Sequence, residues 1–186
     1  LEPQELRNAT CRGPFKKLIK KLSNDSIFMS LAQIEPDGKR AQKMEDEELV
    51  LRFFALAYND GFKSFKGGFK DFLTDKMEEF NTYNEEEINK MEEIFRNTFD
   101  IINESGDSIP FAKFKSENGK LKKMSNFNAA VFDSLVVPIV KIGKQVDFGK
   151  YRELFHNQDF FASVEGSVND VSKINFRIEE SYKVLS

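Results

Sequence analysis

The chain has 186 residues, with 28 Lys plus Arg against 31 Asp plus Glu, one His, one Cys and no Trp. One His and one Cys exclude a two-His zinc site, a cysteine cluster, an intrachain disulfide and an HNH-type nuclease centre, so any metal here would be held by carboxylates and carbonyls. The net charge of −3 lacks the basic excess of a general nucleic-acid binder, although a local basic patch is compatible with it.

A chain of this length usually forms one domain, and 40% hydrophobic residues are too many for a disordered one. A lone Cys11 suits a reducing compartment. No run approaches the ~18 apolar residues of a membrane span. The most apolar stretch, 129–142, is interrupted by Asp133, Ser134 and Pro138. The expectation is a cytoplasmic protein that does not engage a membrane. A polar N-terminus without an initiator Met suggests a piece of a longer protein.

The dominant period is helical. Pro3 suits the first turn of a helix that Gln4 to Thr10 can continue. After Gly13-Pro14, residues Phe15, Leu18, Ile19 and Leu22 form one apolar stripe with lysines around the rest of the surface. A short helix over 26–34 ends at Pro36-Asp37-Gly38. Residues 45–58 are apolar on most sides and predict a central helix, broken by Asn59-Asp60-Gly61. A Phe- and Lys-rich loop then runs to Gly67-Gly68. Phe69, Phe72, Leu73, Met77 and Phe80 give the next stripe. Asn84 and Glu87 have capping-box spacing ahead of a helix through Met91, Phe95, Phe99 and Ile102, which Gly106 stops.

Residues 109–124 differ: Pro110, alternating Phe111 and Phe114, and Glu117-Asn118-Gly119 predict an irregular loop or a small hairpin. A helix over 126–141, kinked or interrupted at Pro138, follows. Asp147 can cap a helix carrying Tyr151, Leu154 and Phe155. A short helix holds Phe160, Phe161 and Val164, and the last carries Val171, Ile174, Ile178, Tyr182 and Leu185. The reading is a single all-α domain over 1–186, with about eight or nine helices and at most one small β-hairpin. Its 20 Phe lie on nearly every stripe and supply the core.

Candidate sites are few. Arg12, Lys16, Lys17, Lys20 and Lys21 cover one side of the second helix and can contact phosphates, helped by the helix N-terminus; the ordinary meaning of such a run is a solvated face. Lys120, Lys122 and Lys123 receive the same reading. The acidic runs 45–48 and 85–87 suit helix starts, where the dipole favours negative charge. Gly67-Gly68 is no P-loop, and neither His156 nor Cys11 has the surroundings of a catalytic group. Asp133 stands out, because it interrupts a strongly apolar helix. Either it lies on that helix's one wet face, or it is buried and needs a partner such as Arg7 or Arg52.

Four segments in order carry a family resemblance. Leu1-Glu2-Pro3-Gln4-Glu5-Leu6-Arg7-Asn8-Ala9 resembles the L-N-x-Q-E-[LI]-R-N-[AC] motif of the bacterial family catalogued as domain of unknown function 262. Arg12-Gly13-Pro14-Phe15 with the Leu18 and Leu22 helix resembles its next block. The helix around Glu48-Leu49-Val50-Leu51-Arg52-Phe53 is similar to its x-E-L-V-L-R-F-L-A segment, and Phe127-Asn128-Ala129-Ala130-Val131-Phe132-Asp133 to its F-N-x-A-L-F-D segment. The Arg177 helix also corresponds. One departure is Glu2 in place of Asn; Glu is the poorer N-cap, which predicts a frayed first helix.

Members of that family resemble GmrSD-type modification-dependent restriction enzymes and anti-phage nickases, with a ParB-like catalytic domain bearing a D-G-Q-Q-R motif and, in many, an HNH-type domain. This chain has no G-Q-Q-R. The resemblance therefore implies the helical, non-catalytic part of such a protein. It implies no cofactor in this chain, with nucleotide and divalent metal belonging to the parent protein, a ParB-like domain of the same protein as partner, and DNA as a further partner of the assembly. It gives Gln4, Glu5, Arg7, Asn8, Arg52 and Asp133 a structural or domain-interface role. The alternative expectation is a helical protein-interaction scaffold without enzymatic activity.

Overall fold

The computed structural model describes residues 2–166 and 168–186; Leu1, which opens the first motif, lies outside the described residues. Among these, eleven α-helices, two 3₁₀ segments and one antiparallel hairpin build a mostly helical domain. The helices are α1 (Pro3–Thr10), α2 (Pro14–Leu22), α3 (Ser26–Leu31), α4 (Lys39–Gln42), α5 (Glu45–Ala57), α6 (Phe69–Phe80), α7 (Glu85–Glu104), α8 (Ala129–Ile142), α9 (Phe148–Glu153), α10 (Gln158–Ser163) and α11 (Val171–Leu185). The hairpin strands are β1 (Lys113–Glu117) and β2 (Lys120–Ser125). The count exceeds eight or nine because several helices are short. The single turn α4 buries no residue, so it leaves no apolar stripe to detect.

Local chemistry sets the helix boundaries. Asp25 accepts from the N–H groups of Ile27 and Phe28, Asn128 from Ala130 and Val131, Asp147 from Gly149 and Lys150, and Asn157 from Asp159 and Phe160. Each satisfies donors that a helix start leaves without partners. Asn84 and Glu87 form the expected reciprocal box on α7. The first helix is not frayed: the Glu5 carboxylate accepts from the Glu2 N–H at 2.6 Å, so the third position of the helix supplies what a poor N-cap does not. Pro138 neither ends nor breaks α8, which runs on to Ile142.

Burial places α5 and α8 at the centre. Every residue of α5 from Leu49 to Ala57, and of α8 from Ala130 to Ile139, is buried. Helix α8 packs against α5, α7 and α11, and α5 also contacts α1, α2, α4 and α6. Phenylalanines bind the layers in a chain of ring contacts. Phe80 meets Phe15 at 4.9 Å between centroids, Phe15 meets Phe54 at 5.5 Å, Phe53 meets Phe95 at 5.0 Å, Phe95 meets Phe99 at 4.5 Å, and Phe132 meets Phe111 at 4.9 Å. Each such pair adds about 0.5–1.5 kcal/mol beyond the burial of its area. A second group, Tyr151, Phe155 and Phe160, joins the hairpin through Phe114.

After α5 the chain reverses tightly. Asn59 and Asp60 are both left-handed (φ 51° and 56°), and they kink the stretch Tyr58–Ser64, which is otherwise 3₁₀-like rather than an open loop. Gly61 is required here by space: a Cβ on it would lie 2.2 Å from the Ala55 carbonyl oxygen. Backbone cannot yield as a flexible side chain does, so Gly61→Ala is expected to destabilise the fold by about 1–3 kcal/mol, the usual range for overpacking. Urea unfolding of the two proteins measures it.

Candidate functional site

The buried charged and amide side chains, Lys113 apart, gather at two junctions. The first is built on Asp133, in the second turn of α8, whose side chain is 0% exposed. It is not on a wet face. Arg52 of α5 grips it bidentately, Nε to Oδ1 at 2.5 Å and Nη2 to Oδ2 at 2.6 Å. Arg177 of α11, also 0% exposed, donates from Nη2 to the same Oδ2 at 2.6 Å. Of the two partners anticipated for Asp133, Arg52 takes the role and Arg7 does not; Arg177 is the partner that sequence reasoning missed.

Two guanidinium groups on one carboxylate leave an excess positive charge in the interior, and neutral acceptors surround it. The Arg52 Nη2 donates to Asn169 Oδ1 at 3.0 Å, and its guanidinium lies 4.3 Å over the Phe69 ring. The Arg177 Nη1 donates to the carbonyls of Ser163, at 3.0 Å, and Val168. Its Nε is buried with no partner among the described residues. Burial lowers the Arg177 pKa and the Asp133 charge opposes that shift. The arrangement holds three helices together, with its carboxylate and the Arg177 side chain fully buried and Asn169 reaching it from the surface.

The second junction is built on Arg7. Its Nη1 donates to Gln4 Oε1 at 2.9 Å and to Glu48 Oε2 at 3.1 Å, its Nε to Thr74 Oγ1 at 3.3 Å, and its Nη2 to the Lys70 carbonyl at 3.5 Å. Gln4 donates on to Asn8 Oδ1 at 3.2 Å, and Asn8 donates to Glu47 Oε2 at 2.5 Å. Gln4 and Arg7 are buried. Residues Gln4, Arg7 and Asn8 therefore fasten α1 to α5 and α6, while Glu5 caps α1.

The basic face of α2 is less free than its sequence suggests. Lys21 pairs with Glu92 at 2.8 Å, and Lys16 donates to the Asn8 carbonyl. Arg12, Lys17 and Lys20 are exposed. At the start of α2 one N–H is already taken, because Asn81 Oδ1 accepts from the Lys16 N–H at 3.1 Å. That residue stands against Gly13, where a Cβ would lie 2.5 Å from the Asn81 oxygen.

Other candidates are isolated. No group of three or more His, Cys, Asp and Glu side chains suited to a metal occurs among the described residues. His156 Nδ1 lies 2.8 Å from Ser116 Oγ, with Glu153 3.6 Å from Nε2; the contact fixes the hairpin to the 3₁₀ segment Leu154–His156. Cys11 is buried. A cleft of about 260 Å³ opens between the segment Tyr58–Ser64, α8 and α11, floored by Phe62, Val137, Pro138 and Ile178, with Asp60, Lys63 and Lys141 at its rim. Among the described residues no helix is long and apolar enough to cross a membrane.

Comparison of the chain with models of known families, with characterised proteins and with solved structures gives no match. What the geometry defines is a mostly helical domain organised by two arginine-centred junctions.

The tyrosines give these interior contacts a pH signature. Burial raises the Tyr151 phenol, whose oxygen lies 2.6 Å from Ser134 Oγ, and burial together with Glu79 pushes Tyr83 up to about 12. A raised folded-state value means the neutral phenol stabilises the fold fully below the unfolded value near 10, and that this is lost as pH rises through the folded value. Urea stability is expected to fall from pH 10 to 12, and the fall to be shallower in Tyr83→Phe than in the parent protein.

Proposed function

We propose that this chain is the helical, non-catalytic portion of a domain-262-type protein of the restriction or anti-phage nuclease kind, and that its own role is to form a framework on which a ParB-like domain of the same protein is mounted. One observation carries the reading. The polar residues that bear the resemblance, Gln4, Arg7, Asn8, Arg52 and Asp133, are the residues that join α1, α5, α6 and α8, and Arg177 extends the second junction to α11. Their donors and acceptors meet one another inside the domain, as framework groups do. Catalytic groups, by contrast, converge on a space where a reacting atom can sit. In this reading the nucleotide and divalent metal belong to the parent protein's catalytic part.

A second reading, a helical interaction scaffold without a nuclease partner, is favoured by the apolar floor of the cleft beside Pro138. The reading frame of the encoding gene separates the two: a D-G-Q-Q-R-bearing domain in frame supports the first. The decisive assay uses purified chain with GTP or ATP, and with plasmid DNA, each in Mg²⁺. The expected result is neither hydrolysis nor nicking by the chain alone, with activity when it is joined to the in-frame domain. Turnover by the chain alone, abolished by Asp133→Asn under folded conditions, would overturn the framework reading.

A further inference from the structure

We propose that the cleft between the segment Tyr58–Ser64, α8 and α11 binds a small carboxylate with an apolar body, its ring or branched alkyl group on the floor and its carboxylate on Lys141. The inference rests on the cleft alone and stands whether or not the family reading holds. Its volume of about 260 Å³ lies just below the ~300 Å³ at which drug-sized pockets begin. The occupant is therefore small, a single ring or a short branched chain.

Two costly backbone features meet there. Asn59 and Asp60 are successive left-handed residues without the freedom of glycine, and such conformations persist where the surroundings enforce them, often at ligand clamps. They deliver Asp60 to the rim and Phe62 to the floor. On the facing helix, Pro138 denies α8 one backbone hydrogen bond and lines the same cleft. Chains break such local rules chiefly where function requires it.

Charge at the rim selects the sign of the ligand. The side chains lining the cleft include three lysines, Lys63, Lys141 and Lys183, against two acids, Asp60 and Glu179. Asp60 serves two of the cations: Lys63 Nζ donates to its Oδ2 at 2.8 Å, and Lys141 Nζ stands 3.8 Å from the same oxygen. Lys183 pairs with Glu180 and has Glu179 nearby. Lys141 is thus left without a carboxylate of its own. It is held 4.9 Å over the Tyr182 ring, and neither that contact nor the approach to Asp60 is a hydrogen bond. Half-exposed ion pairs of this kind contribute little to a fold. An ammonium fixed beside an apolar floor, whose N–H donors these contacts leave uncommitted, is what an apolar carboxylate requires.

The test is an amide NMR titration of the full chain with phenylpropionate, phenylpropanol and phenylpropylamine, which share one body and differ in charge. The acid is expected to bind with a dissociation constant on the order of 1 mM, as its size allows, and to shift the amides of Phe62, Lys141 and Ile178 first. The alcohol is expected to bind about fivefold more weakly, and the amine more weakly still. Lys141→Met, which keeps an apolar stem, is expected to reduce the acid to the affinity of the alcohol and to leave the alcohol unchanged. Lys17→Met on α2 is expected to change neither, and unchanged amide spectra away from the cleft establish that both variants are folded. Absence of shifts at about 20 mM acid overturns the proposal, as do equal binding of acid and alcohol, preference for the amine, or an undiminished response in Lys141→Met. An N-acetyl peptide ending in Phe that binds more than about tenfold tighter than the acid assigns the cleft to a protein C-terminus and likewise overturns it.

Discussion

A single carboxylate, Asp133, sets the relative positions of three helices. It projects from the most apolar helix of the domain, and its oxygens receive Arg52 from α5 and Arg177 from α11. Taking any of these charges from water costs several kcal/mol, and their mutual attraction returns it only when geometry and auxiliary hydrogen bonds are good. Here the auxiliary acceptors are the carbonyls of Ser163 and Val168 and the side chain of Asn169, all in or beyond the short helix α10. The connection between α10 and α11 is therefore as much a part of the junction as the three charged side chains.

The same device recurs one turn earlier on α5. Arg7 gathers Gln4, Glu48, Thr74 and the Lys70 carbonyl, and so fixes α1 on α5 and α6. Helix α5 takes part in both junctions, through Glu48 and Arg52 one turn apart, and the packing around them is largely aromatic and aliphatic. Apolar stripes bring helices together but discriminate weakly between neighbouring registers, whereas a bidentate arginine pair accepts only one. Directional polar contacts beside a Phe-rich core give one arrangement to a core that could otherwise pack in several.

Much of this was legible in the residues. The stripes of α2, α6, α7 and α11 predict buried faces that the fold realises, and the Asn84–Glu87 spacing and the Asn118-Gly119 turn specify local structure by themselves. Asp133 was marked as anomalous by its neighbours alone. No periodicity couples positions so far apart, so Arg52, 81 positions away, stood only as one of two candidates, and Arg177, 44 away on the last helix, was not among them. Nor does charge patterning show that Asn81 meets the start of α2, since that contact spans 65 positions. The 3₁₀ path at Tyr58–Ser64 escaped for another reason: Asn-Asp-Gly signals a turn without specifying how the chain leaves it.

The account depends on Arg52 and Arg177 sharing one buried charge, and a double-mutant cycle measures that sharing. With either arginine replaced by Met, Asp133 keeps one cationic partner; with both replaced it is a buried charge alone. Urea unfolding of the two single variants and the double variant is predicted to show a double loss exceeding the sum of the single losses by about 0.5–3 kcal/mol. Losses that add to within about 0.5 kcal/mol would contradict it.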